Sequence, residues 1–264
     1  MDLKLHKKRA LVTGASAGIG FAIAQKLAEE GAIVTINGRS QERLDQAVHK
    51  ITKSVPNAAI SSIACDLGTA SGANDLLKAL PEVDILINNM GIYEPKDFLE
   101  ITDADWTRFF ETNVMSGVRL SRAYLPAMRK RNWGRIIFIS SESAVNIPVE
   151  MIHYGLTKTA QLALSRGLAG TTAGTNITVN CVLPGPTSSE GVGDFVRNLA
   201  QSKGTDESAV EKEFFETVRP TSLLKRFATP EEVAAMVVYV ASPLSSATNG
   251  AALRVEGGCV QSVI

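Results

Sequence analysis

Short apolar, β-branched runs alternate with longer amphipathic stretches from one end of the chain to the other. Residues 9–13, 33–37, 60–65, 85–87, 135–140, 177–183 and 252–255 predict strands. Their apolar character is nearly continuous rather than alternating, as expected of parallel strands covered on both faces. The segments between them predict helices. Ile19, Ile23 and Leu27 form one apolar stripe opposite Gln25, Lys26, Glu29 and Glu30, with Gly31 placed to end the helix. Leu156, Ala160, Ala163 and Gly167 form a second stripe, whose small residues suit close packing. Thr229-Pro230-Glu231-Glu232 is a capping box with proline at the first helical position. This alternation implies right-handed crossovers and an α/β architecture, a doubly wound parallel sheet of about seven strands.

No repeat, low-complexity stretch or linker divides the chain, so residues 1–264 are expected to form a single domain. The irregular region is 184–226, which is charged and only weakly periodic. A connection of that length inside a compact domain suggests a functional lid, about 188–226. Its apolar side chains, Val192, Phe195, Phe214 and Phe215, are either pocket walls or the lid's own packing. Glu142, Tyr93 and Glu94 are either near a substrate or on a solvated rim.

Composition narrows the function by exclusion. Lys+Arg and Asp+Glu number 27 each, so no net field draws the chain to nucleic acid or anionic membrane. Apolar runs are far short of a membrane span. Residues 1–9 are short and polar with no signal-peptide core, and a cytoplasmic location is expected. Three separated cysteines form no pair of metal-ligand spacing, so no metal is expected. Cys65 and Cys181 lie in or beside apolar strands, where a thiol acts as a small hydrophobe.

The chemistry is concentrated at a few turns. After the first strand comes Thr13-Gly14-Ala15-Ser16-Ala17-Gly18-Ile19-Gly20, opening a helix. Glycines there let the backbone approach a pyrophosphate, which sits at the positive end of the helix. Tyr154 and Lys158, four apart on a helix, share a face. An ammonium one turn away favours a phenolate and lowers a tyrosine pKa from about 10. Ser141 ends the strand 135–140, at the carboxyl edge where such sheets place ligands, and its hydroxyl suits holding a substrate oxygen. Asn88-Asn89-Met90-Gly91 follows another strand at the same edge. Asn113 lies inside a long helical stretch starting at Thr102, an unfavourable place for an uncapped asparagine. His153 precedes Tyr154, but helical neighbours point in different directions.

Together these motifs resemble the short-chain dehydrogenase/reductase family, over nearly the whole chain, which implies a Rossmann-type fold. Thr13 to Gly20 is similar to its T-G-x-x-x-G-x-G turn and Asn88 to Gly91 to its N-N-x-G segment. Asn113, Ser141, Tyr154 and Lys158 fall at its catalytic tetrad, while Pro184-Gly185 and Glu256-Gly257-Gly258 match later segments. The resemblance implies an NAD(P)-dependent oxidoreductase interconverting a carbonyl and a secondary alcohol. Tyr154 would transfer the proton, Ser141 orient the substrate oxygen, and Lys158 lower the tyrosine pKa and bond the nicotinamide ribose. Asn113 would hold a water that relays protons toward Lys158. Gly14, Ser16, Gly18, Ile19 and Gly20 would form the phosphate turn. Asp66 and Leu67 would border the adenine, Asn89 and Gly91 support the cofactor, and Pro184, Gly185 and Thr187 line its nicotinamide end. Two positions depart from the family: Met90, where alanine is usual and simple repacking is expected, and Gly155, where alanine or serine is common. A non-catalytic nucleotide-binding member of the same fold is the alternative, and the intact tetrad argues against it. An epimerase or dehydratase on this fold fits the chain length and glycine spacing poorly.

The cofactor is expected to be NADP(H), with NAD(H) as the alternative. Enzymes of this fold that use NAD generally carry an acid at the end of the second strand, to bond the ribose 2′-hydroxyl. Here Gly38 stands there and Arg39 follows, whose planar guanidinium suits a phosphate. Ala17 counts the other way, since the glycine turn holds no second basic residue. The family habit and the apolar tail, residues 259–264, point to a homotetramer or homodimer. The substrate, a small molecule, does not follow from the sequence.

Overall fold

In a computed structural model, residues 1–263 are described, apart from the side chains of Asp194 and Phe195. The strands are β1 (Arg9–Val12), β2 (Ile33–Gly38), β3 (Ile60–Ala64), β4 (Ile85–Asn88), β5 (Gly134–Ile139), β6 (Ile177–Pro184) and β7 (Ala252–Val255). They form one parallel seven-stranded sheet in the order β3-β2-β1-β4-β5-β6-β7, the doubly wound Rossmann-type arrangement expected. The order reverses between β1 and β4, and a crevice opens at their carboxyl ends.

Helices cover both faces. Packed on one are α1 (Gly18–Glu29), α2 (Gln41–Ser54) and α9 (Pro230–Ala241), whose Ile23, Leu27, Leu44, Val233 and Val237 form one core with the sheet. The other face carries α3 (Ala70–Ala79), α4 (Asp103–Phe110), α5 (Ser116–Lys130) and α6 (Ile152–Thr171). Continuous burial on both sides holds for the central strands β4, β5 and β6. It fails at the edges, where every residue of β3 and β7 keeps some exposure because no strand pairs beyond them. Thr229 and Glu232 form the expected reciprocal cap, with Pro230 leading α9.

Two helical readings change. The stripe of Leu156, Ala160, Ala163 and Gly167 does not face the core. Leu156 is 47% exposed, and α6 instead buries a polar face of Thr157, Lys158, Gln161 and Ser165. Hydrogen bonds from that face outweigh its polarity: Gln161 Nε2 donates to the Asn113 carbonyl at 2.6 Å. The second change is in region 184–226, which is not irregular. It contains α7 (Glu190–Lys203) and α8 (Glu207–Thr217), joined at Gly204, whose left-handed φ of 63° ends α7. Val196, Ala200 and Val210 pack these helices on each other. The periodicity is weak because the buried stripe is only a few residues wide. Among the described residues, no helix is long and apolar enough to cross a membrane.

Candidate active site

Because every strand runs the same way, the turns after β1, β4, β5 and β6 meet at one edge. There they line a cleft of about 810 Å³, which the α7–α8 segment borders on the far side. Gly18, Ile19, Gly20, Asn89 and Gly91 line one end, and Ser141, Tyr154 and Lys158 the middle. Pro184, Gly185 and Thr187 complete the wall.

The glycine turn is shaped for close approach. Gly14 and Gly18 have φ of 61° and 59°, the left-handed region that other residues avoid. A Cβ on Gly20 would lie 2.5 Å from both Asn89 Nδ2 and the Gly14 carbonyl oxygen. Asn89 Nδ2 donates to the Thr13 and Gly14 carbonyls at 2.9 and 3.0 Å, and Thr13 Oγ1 accepts from the Asn89 and Met90 amides at 3.0 Å each. Thr13 thus ties the β1 and β4 turns together, a role sequence reading had not assigned to it. Ala17, at the N-cap of α1, supplies no side-chain cap, so the first-turn amides lie against the cleft for an anionic ligand. This donor set fits the pyrophosphate of a dinucleotide.

Three bonds hold the β5 turn to α6. Ser140 Oγ donates to the Lys158 carbonyl at 2.9 Å, Lys158 Nζ to the Ile139 carbonyl at 2.9 Å, and Thr159 Oγ1 to the Ala144 carbonyl at 2.8 Å. They set Ser141 opposite Tyr154. Ser141 Oγ accepts the Ser143 amide at 3.1 Å, and its hydroxyl bonds Tyr154. Lys158 Nζ lies 5.6 Å from the Tyr154 ring centre, and Tyr93 meets that ring edge-on at 6.4 Å.

Electrostatics in the free chain differ from the sequence expectation. Burial pushes the Tyr154 phenol up to about 12, partly offset by its bond with Ser141, and burial pushes Lys158 down to about 8. Lys158 does not lower the phenol here. Desolvation dominates at both groups, and the ammonium donates to the Ile139 carbonyl rather than to the phenol.

Asn113 is buried and is not part of the cleft wall. It sits in a π turn, Glu111–Met115, that interrupts the long helix between α4 and α5. Its Oδ1 accepts the Ile92 amide at 2.8 Å, while its Nδ2 donates to the Ile92 carbonyl and Thr157 Oγ1 at 3.0 Å each. Its side chain thus acts as a backbone clamp on the segment after Gly91. His153 points away from the cleft, buried against Phe109 with ring centres 4.0 Å apart.

Gly14, Ser16, Arg39, Asp66 and Leu67 lie outside the cleft wall. Arg39 is exposed just beyond β2, and Leu67 is fully buried. Asp66 Oδ1 accepts the Gly68 amide at 2.9 Å in a turn after β3. Met90 packs partly buried against the α3–α5 layer, as simple repacking requires. Gly155 has a local cause: a Cβ there would come 2.8 Å from Ile147 Cγ2. Of the lid side chains, Val192 and Phe214 line the cleft, whereas Phe215 is buried in the lid's own packing; the Phe195 side chain lies outside the described residues. Glu142 and Tyr93 border the cleft, and Glu94 instead pairs with Arg108 at 2.6 Å. Arg219, also on the wall, went unread among the many charges of the lid.

Comparison with known proteins agrees with this geometry. The model of the short chain dehydrogenase family matches residues 8–199. An uncharacterized oxidoreductase of Bacillus subtilis is 50% identical over the full length of both chains. The 3-oxoacyl-[acyl-carrier-protein] reductase of Aquifex aeolicus is 33% identical, over 98% of this chain and 99% of its own. Among solved structures, L-sorbose reductase from Gluconobacter frateurii, complexed with NADPH and L-sorbose, superposes with a TM-score of 0.93 at 31% identity, covering all of both chains.

Proposed function

The chain belongs to the short-chain dehydrogenase family of oxidoreductases, and from that premise we propose that it interconverts a ketone and a secondary alcohol using NADP(H). The observation that carries this reading is the convergence of Ser141, Tyr154 and Lys158 with the glycine turn on a single cleft. Gly14, Ser16, Gly18, Ile19 and Gly20 would hold the pyrophosphate end of the dinucleotide, with Asp66 and Leu67 near its adenine. Asn89, Gly91, Pro184, Gly185 and Thr187 would support the remainder. The nicotinamide supplies the hydride in reduction and accepts it in oxidation.

The protein's own groups handle the proton. Tyr154, protonated up to about pH 12 in the free chain, is a competent donor to an oxygen gaining charge. Ser141 donates to the same oxygen and holds it in line. Lys158, which does not lower the phenol in the free chain, would bond the nicotinamide ribose and favour the phenolate only with the dinucleotide bound. Asn113 acts by positioning: its clamp on Ile92 fixes the segment after Gly91, where a water would relay protons toward Lys158. In oxidation the same proton travels the other way, from alcohol to Tyr154.

Arg39 carries the preference for NADP(H), supported by the absence of an acid at Gly38 and by the NADPH bound to the superposable sorbose reductase. We place the protein in the cytoplasm as one catalytic domain, with 188–226 as its substrate lid. We also propose a homotetramer or homodimer. The exposed small-residue stripe on α6 and Val263, 95% exposed in the tail, offer apolar surface for a second copy, while Ile264 lies outside the described residues.

The test is Tyr154→Phe, followed by absorbance of the reduced cofactor across a panel of ketones. The hydroxyl alone is lost, so turnover should fall at least ~10²–10⁴-fold while nucleotide binding persists. Near-normal kcat would refute the proton role.

A further inference from the structure

Beside Ser141 the cleft wall carries an arrangement that proton transfer does not use. Glu142 is 3% exposed, yet it borders the cleft. Its Oε1 accepts Arg219 Nε at 2.9 Å and Ser143 Oγ at 3.3 Å. Its Oε2 is buried and has no hydrogen-bond partner among the described residues. A carboxylate oxygen left this way is costly, and native sites retain one where something else supplies the donor. The terminal torsion of a glutamate is broad, so Oε2 reaches the cleft surface by a small rotation.

We propose that Glu142, held by Arg219, is a substrate subsite that accepts a hydrogen bond from a hydroxyl on the carbon next to the reacting carbonyl. The substrates are then neutral hydroxyketones and the corresponding vicinal diols. This rests on the proton-transfer reading above and adds its substrate class.

Position sets the hydroxyl. Glu142 follows Ser141 directly and lines the same cleft as Ser141 and Tyr154, so the carboxylate stands on the wall that holds the reacting oxygen. Charge sets neutrality. Arg219 is committed to Glu142, to the Val218 carbonyl at 2.9 Å and to Glu150, 3.6 Å away. Lys203, also on the wall, pairs with Glu213 at 2.7 Å. A substrate carboxylate or phosphate at this pole would meet two carboxylates and a guanidinium already bonded. A hydroxyl also matches Glu142 in either protonation state, because it both donates and accepts.

The experiment uses hydroxyacetone and 2-butanone, which differ by a hydroxyl in place of a methyl beside the carbonyl. With the full chain and saturating NADPH, kcat/KM should favour hydroxyacetone by about 10- to 150-fold, the range for a hydrogen bond to a charged group. Glu142→Gln should lower that ratio about tenfold. Glu142→Asp keeps the charge against Arg219, and hence the fold, but withdraws the carboxylate by one methylene; it should lower the ratio too. Equal rates for the two ketones in the unaltered protein overturn the subsite, as does a ratio that survives in both variants. Should neither ketone turn over, the proton-transfer reading has failed, and binding decides the subsite. Saturation-transfer NMR with NADP⁺ present should then show 1,2-propanediol bound in preference to 2-butanol, with the preference lost in Glu142→Gln. Equal binding of the two alcohols overturns it.

Discussion

Replacing Lys158 by methionine should make the protein more stable while removing its activity. Lys158 is 5% exposed, and burial lowers its titration from the ordinary lysine value of 10.5 to about 8. At about 1.4 kcal/mol per tenfold change, the charged form is roughly 3 kcal/mol less favourable in the folded chain than in the unfolded one at pH 7. Methionine fills similar space without the charge and forfeits the bond to the Ile139 carbonyl, a loss of about 1 kcal/mol. The net gain is about 2 kcal/mol, or a rise of about 4–8 °C in Tm for a domain of this size. The pH dependence identifies the cause. Below pH 8 the lysine is charged in both states and the penalty is complete. Between pH 8 and 10.5 the folded chain releases the proton first, the unfolded chain binds more protons, and wild-type stability rises with pH. The advantage of methionine should therefore shrink across that window and give way above it to a deficit of about 1 kcal/mol, the lost hydrogen bond. Urea or thermal unfolding of both proteins, at matched concentration and without nucleotide, reads this directly. A variant less stable at pH 7, or a difference that stays flat from pH 7 to 10.5, would refute the reasoning.

Other outcomes follow from single contacts. Arg39→Ala should lower kcat/KM for NADPH relative to NADH by roughly 10- to 150-fold, the span of one charged hydrogen bond; an unchanged ratio, or a wild-type preference for NADH, removes Arg39 from phosphate recognition. Gly155→Ala would drive a methyl to within 2.8 Å of Ile147 Cγ2 and should destabilise by about 1–3 kcal/mol, measured by urea unfolding; no loss would mean that the loop yields freely. Sedimentation at micromolar concentration should show a dimer or tetramer, and a species of only 28.2 kDa would exclude both.

The strands and the parallel sheet were legible because a strand buried on both faces must be largely apolar, as the runs 136–139 and 181–183 are. The glycine turn and the Tyr154–Lys158 pair were legible for a similar reason: each is a local motif whose spacing already implies its geometry. The lid helices were harder to see. Their buried stripe is narrow, and helices stabilised mainly by a few tertiary contacts leave a faint pattern.

What the chain determined by itself was the order of strands and helices and the residues delivered to each carboxyl-edge turn. Local propensity and periodicity carry that information over a few residues at a time. Only the tertiary structure decided the environment of those residues. It turned the polar face of α6 inward, because Gln161 and Thr157 found partners on the Asn113 turn. It placed Asn113 in a π turn as a backbone clamp. By burying Tyr154 and Lys158 together, it moved their proton affinities apart, the phenol up and the ammonium down, since desolvation depends on everything packed around a charge and not on its neighbour four residues away. The pairing of Glu142 with Arg219 spans 77 residues and has the same origin: the fold brought the two together, and no periodicity in the chain connects them.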